Sequence, residues 1–123
     1  LPPDISASRA YIEGALAYTQ GSHTFEDVAD AVAAGQMQAW VGATSVIITE
    51  IIEYPRYRVL NFFLAGGNRP ELEQMYPEVE AFGRRMGCDR AGMLARKGWE
   101  RTFLTQKEGW APTLVAFEKI LHG

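Results

Sequence analysis

Two features of this chain could carry chemistry. The first is Gly66-Gly67-Asn68-Arg69, set between the apolar run Arg58–Leu64 and an amphipathic stretch that opens at Pro70. A strand that turns through glycines into a helix start gathers unpaired backbone N–H groups and the positive helix end in one place, which suits an anion. The same glycines would serve equally if only a sharp turn were needed. Glu71 and Glu73 follow in the first helical turn and already complement the dipole. Each would repel a pyrophosphate a few ångströms away by about 1–4 kcal/mol for effective dielectrics of 80 to 20, with Arg69 alone on the other side. The second feature is Glu50, a carboxylate inside the apolar run Val46–Glu53. Partial burial there would raise its pKa toward that of a general base. The alternative is a carboxylate at a sheet margin, or one bonded to Asn61.

Other reactive residue types are sparse. Cys88 is the only cysteine, so no internal disulfide can form, and it reads as a small buried hydrophobe. His23 and His122 lie far from it and from each other, which gives no metal-ligand spacing and no Ser-His-Asp or Cys-His arrangement. Between Arg84 and Arg101 six basic residues face two acidic ones, Asp89 and Glu100. That stretch could meet phosphates or an acidic partner, or be a solvated face. It lacks the aromatic interleaving of a single-strand binder, and the net charge of −3 does not favour nucleic acid. Trp40, Trp99 and Trp110 read as packing residues.

The elements that must position these residues follow from period and punctuation. The length of 123 residues, 47% hydrophobic and 22% charged, suits one domain over 1–123. No apolar run approaches the roughly 20 residues of a membrane helix. No leader is evident and the chain opens at Leu1, so a cytoplasmic protein lacking its first residues is expected. Ser6 or Ser8 is positioned to cap a helix reaching about Gln20. Thr24 caps a second helix, with Asp27 as its box partner and Phe25, Val28, Ala29 and Val32 as its core stripe. Met37–Val41, Val46–Glu53 and Arg58–Leu64 read as strands, the last two joined through Tyr54-Pro55-Arg56-Tyr57. Pairing Tyr54 with Tyr57 sets Ile52 opposite Val59, Glu50 opposite Asn61 and Ile48 opposite Phe63. Pro70–Met86 carries a helical stripe, with a kink or a local break expected at Pro77. Asp89–Ala95 reads as a strand, Gly98–Gln106 as a short helix and Thr113–Leu121 as a closing strand. A single crossover helix makes the strands before and after it parallel.

The order of these elements over about residues 37–121, the Gly66-Gly67 turn, Gly87-Cys88 and Lys97-Gly98-Trp99 together resemble the GNAT acetyltransferase superfamily. Within it, the short GNAT-like proteins of tailed bacteriophages are the nearest likeness. The resemblance implies an α/β fold, a mostly antiparallel mixed sheet with helices on both faces. It also implies an acyl-coenzyme A-dependent N-acyltransferase that uses acetyl-coenzyme A and no metal. Gly66, Gly67, Asn68 and Arg69 would then hold the pyrophosphate and Glu50 would take a proton from the attacking amine. The superfamily's loop resembles Arg/Gln-x-x-Gly-x-Gly/Ala; Leu64-Ala65-Gly66-Gly67-Asn68-Arg69 keeps glycines at another spacing. No first strand is visible before the opening helices, and no tyrosine near Trp99 matches the usual general acid. The phage likeness implies a second reading: a non-catalytic protein that works through protein contacts in the virion or the host cytoplasm, with a partner or as a homo-oligomer.

Overall fold

The computed structural model describes residues 4–122. Local signals set the first helices. A 3-10 turn at Ser6–Ser8 leads into α1, Arg9–Leu16, and neither serine caps it; Asp4 Oδ1 accepts from Ser6 N instead. The chain leaves the helix after Leu16, short of the expected Gln20. Helix α2, Phe25–Ala33, begins with the full Thr24–Asp27 capping box and buries Phe25, Val28 and Val32. Such a cap is worth about 1 kcal/mol.

Four strands follow in the spatial order of the chain: β1 Gln38–Val41, β2 Ser45–Glu53, β3 Arg58–Gly67 and β4 Arg90–Gly92. The first three form an antiparallel meander, and β4 returns parallel to β3 after helix α3, Arg69–Arg85. This is an α/β fold with a mixed sheet. Val46, Ile48 and Leu64 pack against α1 and α2 on one face. Ile47, Leu60 and Phe62 pack against Leu72, Tyr76 and Val79 of α3 and against Leu104 of the short helix α4, Phe103–Gln106, on the other. A 3-10 turn at Lys97–Arg101 precedes α4.

The hairpin register agrees with the sequence as far as Glu50. Tyr54 N donates to Tyr57 O at 2.9 Å, Ile52 faces Val59 and Glu50 faces Asn61. Ile48 faces Leu64 rather than Phe63, because β3 carries an extra residue between Thr49↔Phe62 and Ile48↔Leu64. This β-bulge at Phe63 reverses which residues point to which face. Phe62 therefore packs beneath α3, while both Phe63 and Leu64 turn toward α1 and α2.

Helix α3 runs through Pro77 without a break. A proline inside a helix costs about 3 kcal/mol, whereas Leu72, Tyr76 and Val79, all buried, contribute about 1.5–3 kcal/mol each, so packing prevails. At the far end of the sheet Arg58 ties three elements together. Its guanidinium donates to Glu53 Oε1 at 2.8 Å and to Met86 O at 2.6 Å, and its carbonyl accepts from Asp89 N at 2.8 Å.

Two expected strands are corrected. Asp89–Ala95 pairs only over Arg90–Gly92, and Thr113–Leu121 has no strand neighbour and lies exposed along its length. Strand-forming side chains make no strand without a neighbouring ladder to complete.

Gly66 and Gly67 lie inside β3, opposite Val46 and Ser45, not in a turn beyond it. A Cβ at Gly66 would stand 2.6 Å from the Tyr11 carbonyl oxygen of α1. At Gly67, where φ is +113°, it would stand 2.2 Å from the Thr44 carbonyl oxygen. Gly67→Ala therefore combines left-handed strain with a backbone clash and should lower stability by about 2–4 kcal/mol, measured by urea unfolding. An unchanged midpoint would show that β2 and β3 do not approach this closely.

Candidate functional site

The end of β3 and the start of α3 form the strand–glycine–helix junction, and several of its donors are already engaged. Asn68 N donates to Ser45 Oγ at 2.9 Å and to Thr44 O at 3.3 Å. The Asn68 side chain caps the helix by accepting from Glu71 N at 3.0 Å, and Leu72 N donates to Asn68 O at 3.0 Å. Pro70 has no N–H. Of the first-turn donors, the Arg69 amide is left outside this set.

Glu71 reaches from this first turn back to the loop joining β1 and β2. Its carboxylate accepts from Ala43 N and Thr44 N, each at 2.9 Å, and from Thr44 Oγ1 at 3.3 Å. Gly42 leaves room for it: a Cβ there would lie 2.6 Å from Glu71 Oε1. The Ser45 hydroxyl, the Thr44 amide and the Ala43 amide favour the charged form and hold the Glu71 carboxyl below its ordinary value. Ser45 Oγ is itself committed to Asn68, donating to its carbonyl at 3.2 Å, so the two amides are the firmer part of that effect. The first turn of α3 thus carries a carboxylate that is bonded within the chain, to the loop joining β1 and β2.

Glu50 is not brought to this junction. It lies on β2 five residues from Ser45, about 16 Å along a strand. It shares the parity of Val46 and Ile48 and so points to the α1–α2 face. Its Oε2 accepts from Asn61 Nδ2 at 2.9 Å, which is the Asn61-bonded carboxylate of the alternative reading. The candidate residues therefore form two separate groups rather than one constellation.

The β3–β4 ladder ends at Asn61↔Gly92, where β4 itself ends. Apolar side chains pack beside this end of the sheet. Phe62, Ala65, Met93, Trp99, Phe103 and Leu104 line a residual cavity of about 20 Å³, room for one water. Tyr76, missed as a polar residue because it falls in the apolar stripe of α3, is 2% exposed. Its hydroxyl donates to Glu80 Oε1 at 2.7 Å and accepts from Trp110 Nε1 at 2.8 Å. Burial, then the bond to Glu80, pushes its pKa well above 10. Glu80 four residues on was the one sequence signal for this pair. Trp40, Trp99 and Trp110 are half-buried packing residues, as their composition suggests. Cys88 is half-buried against the same cluster, and burial raises its thiol pKa.

An open cleft of about 210 Å³ lies beside the α3 start, with Arg69, Arg101 and Lys107 on its walls. Its charges are partly answered, since Lys107 Nζ meets Glu73 Oε1 at 2.6 Å and the Arg69 guanidinium stands 5.0 Å over the Trp99 ring. The rest of the basic stretch is exposed, with Arg84 paired to Glu80 and with Arg90 and Arg96 lying over Tyr57 and Tyr18. Among the described residues no group of three or more His, Cys, Asp or Glu could hold a metal ion, and no helix is long and apolar enough to cross a membrane.

Compared with known proteins, the sequence matches no family model and no curated protein. The geometry alone must therefore carry the functional reading.

The Glu71 bonds make stability depend on acid. A carboxyl held low by folding stabilises above its unfolded value, near 4.5, and that contribution is lost as pH falls through the lower folded value. Glu71→Gln should unfold more easily than the natural chain at pH 7, with the difference shrinking toward pH 3 in paired urea titrations. A pH-independent difference would show that the charge on Glu71 plays no part.

Proposed function

We propose that this chain is a non-catalytic protein on a GNAT-like framework, working through protein contacts rather than by acyl transfer. The observation that carries this reading is the Glu71 carboxylate, bonded to two amides at 2.9 Å beside the very turn where a pyrophosphate would rest. A dianionic group there would have to displace bonds the fold already uses and would meet a like charge. The residues present do not fit a coenzyme A pyrophosphate. Two further observations support the reading: the packing of Met93, Trp99 and Phe103 beside Phe62 and the distance of Glu50 from the junction. A virion-associated or host-interacting role follows from the phage likeness and is part of the proposal.

The acyltransferase reading keeps one observation in its favour. The β3–β4 ladder is only three residues long, and β3 beyond it would admit a pantetheine arm if Met93, Trp99 and Phe103 moved aside. Calorimetry decides between the two. Acetyl-coenzyme A should give no binding heat at millimolar ligand. Micromolar binding that Arg69→Glu abolishes would overturn the proposal, because Arg69 is exposed and its loss should leave the fold intact.

A further inference from the structure

Part of the basic stretch gathers at the Arg58 end of the sheet, where three pieces of chain meet. Asp89 N donates to Arg58 O at 2.8 Å, Arg58 N donates to Asp89 Oδ2 at 3.0 Å, and the Arg58 guanidinium donates to Met86 O at 2.6 Å. The turn between β2 and β3, the end of α3 and the entry to β4 are therefore neighbours. Their side chains form a row. The Arg90 guanidinium stands 3.8 Å over the Tyr57 ring, and the Tyr57 and Tyr54 ring centroids are 5.4 Å apart. Tyr54 is 51% exposed. Arg56 sits in the turn between the two tyrosines and Arg85 precedes Met86, both of them exposed.

The charges at this end are unevenly paired. Arg58 meets Glu53, Arg84 meets Glu80, and Asp89 accepts from the Arg58 amide. Among the described residues no ion pair engages Arg56, Arg85 or Arg90. A chain of net charge −3 thus presents positive charge here that its own carboxylates leave free. The cations of this end, Arg56, Arg58, Arg84, Arg85 and Arg90, are arginines throughout. A guanidinium offers a planar fork of N–H donors that matches a carboxylate, and stacking on a ring holds that fork in place. Arginine and tyrosine are also residue types that concentrate binding energy at protein interfaces.

We propose that this surface takes an acidic segment of a partner protein, with carboxylates on Arg56 and Arg90 and an intervening side chain on Tyr54. Nucleic acid fits it less well. Glu53 and Asp89 stand within the surface; a strand with a phosphate at every nucleotide meets them, whereas a peptide can space its carboxylates around them. Arg90 also covers the Tyr57 face on which a base would stack. The surface lies about 24 Å along α3 from the Gly66–Arg69 junction. It deepens the reading that the chain works through protein contacts: acetyl-coenzyme A titration tests that reading, and peptide titration tests this surface.

Fluorescence anisotropy with a labelled hexaglutamate peptide at about 50 mM salt, where charges are weakly screened, should show saturable binding. Arg56→Glu with Arg90→Glu should weaken it by about 10-fold or more. Arg56→Glu alone, at a turn residue with no ion pair among the described residues, should weaken it by about threefold. Lys97→Glu with Arg101→Glu changes the net charge as much as the first pair does, and Arg101 lines the cleft beside the α3 start. That variant should bind within about twofold of the natural chain, because the separation exceeds the Debye length. All four side chains are exposed, so circular dichroism and the melting midpoint should stay as they are. No peptide binding, an equal loss in the Lys97/Arg101 variant, or tighter binding of dodecathymidylate than of the peptide would each overturn the proposal.

Discussion

The carboxylate of Glu71 is the constraint around which the rest of this domain is arranged. Three pieces of chain distant in sequence meet at it: the loop joining β1 and β2, the last residues of β3 and the first turn of α3. An acidic group in a first helical turn is favourable on its own account, because it faces the positive end of the dipole. Here it also accepts two amides that would otherwise be left unpaired at a hairpin turn. The missing side chains at Gly42 and Gly67 follow from that geometry, since each lets backbone or carboxylate come closer than a Cβ allows. The turn joining β1 and β2, the Glu71 charge and the Asn68 cap are thus answered within the domain.

A second knot sits at the opposite end of the sheet. Arg58 gathers the hairpin, the end of α3 and the entry to β4, much as Glu71 gathers their other ends. Between these two polar ties lie the apolar layers. The ties fix where α3 begins and where the chain after it returns, and the stripe of Leu72, Tyr76 and Val79 fixes which side of the helix faces the sheet. Tyr76 adds a third tie through Trp110, and that bond determines where the exposed last segment departs.

Features that depend on neighbours in sequence were legible before any coordinates. The Thr24–Asp27 box, the stripe of α2, the Tyr54–Tyr57 hairpin and the pairing of Glu50 with Asn61 all rest on spacings of a few residues. Features that depend on distant chain were not. Whether β3 stops before its glycines or runs through them is decided by Ser45, more than twenty residues away, and the role of Glu71 by Ala43 and Thr44. A glycine pair beside a helix start likewise looks identical in sequence whether its amides are free or bonded. Thr113–Leu121 carries strand composition, but a strand also needs a partner, and composition does not supply one.

The surplus residue at Phe63 has a consequence for how this sequence can vary. Upstream of it, even-numbered residues of β3 address the α3 layer; downstream, odd-numbered ones do. The strand thus meets its two helical layers in two different parities, joined by one residue that belongs to neither ladder. Insertions or deletions of a single residue between the hairpin and Phe63 would invert the first half and leave the second untouched. Any natural drift in the length of this strand must therefore come in pairs, or move the bulge with it.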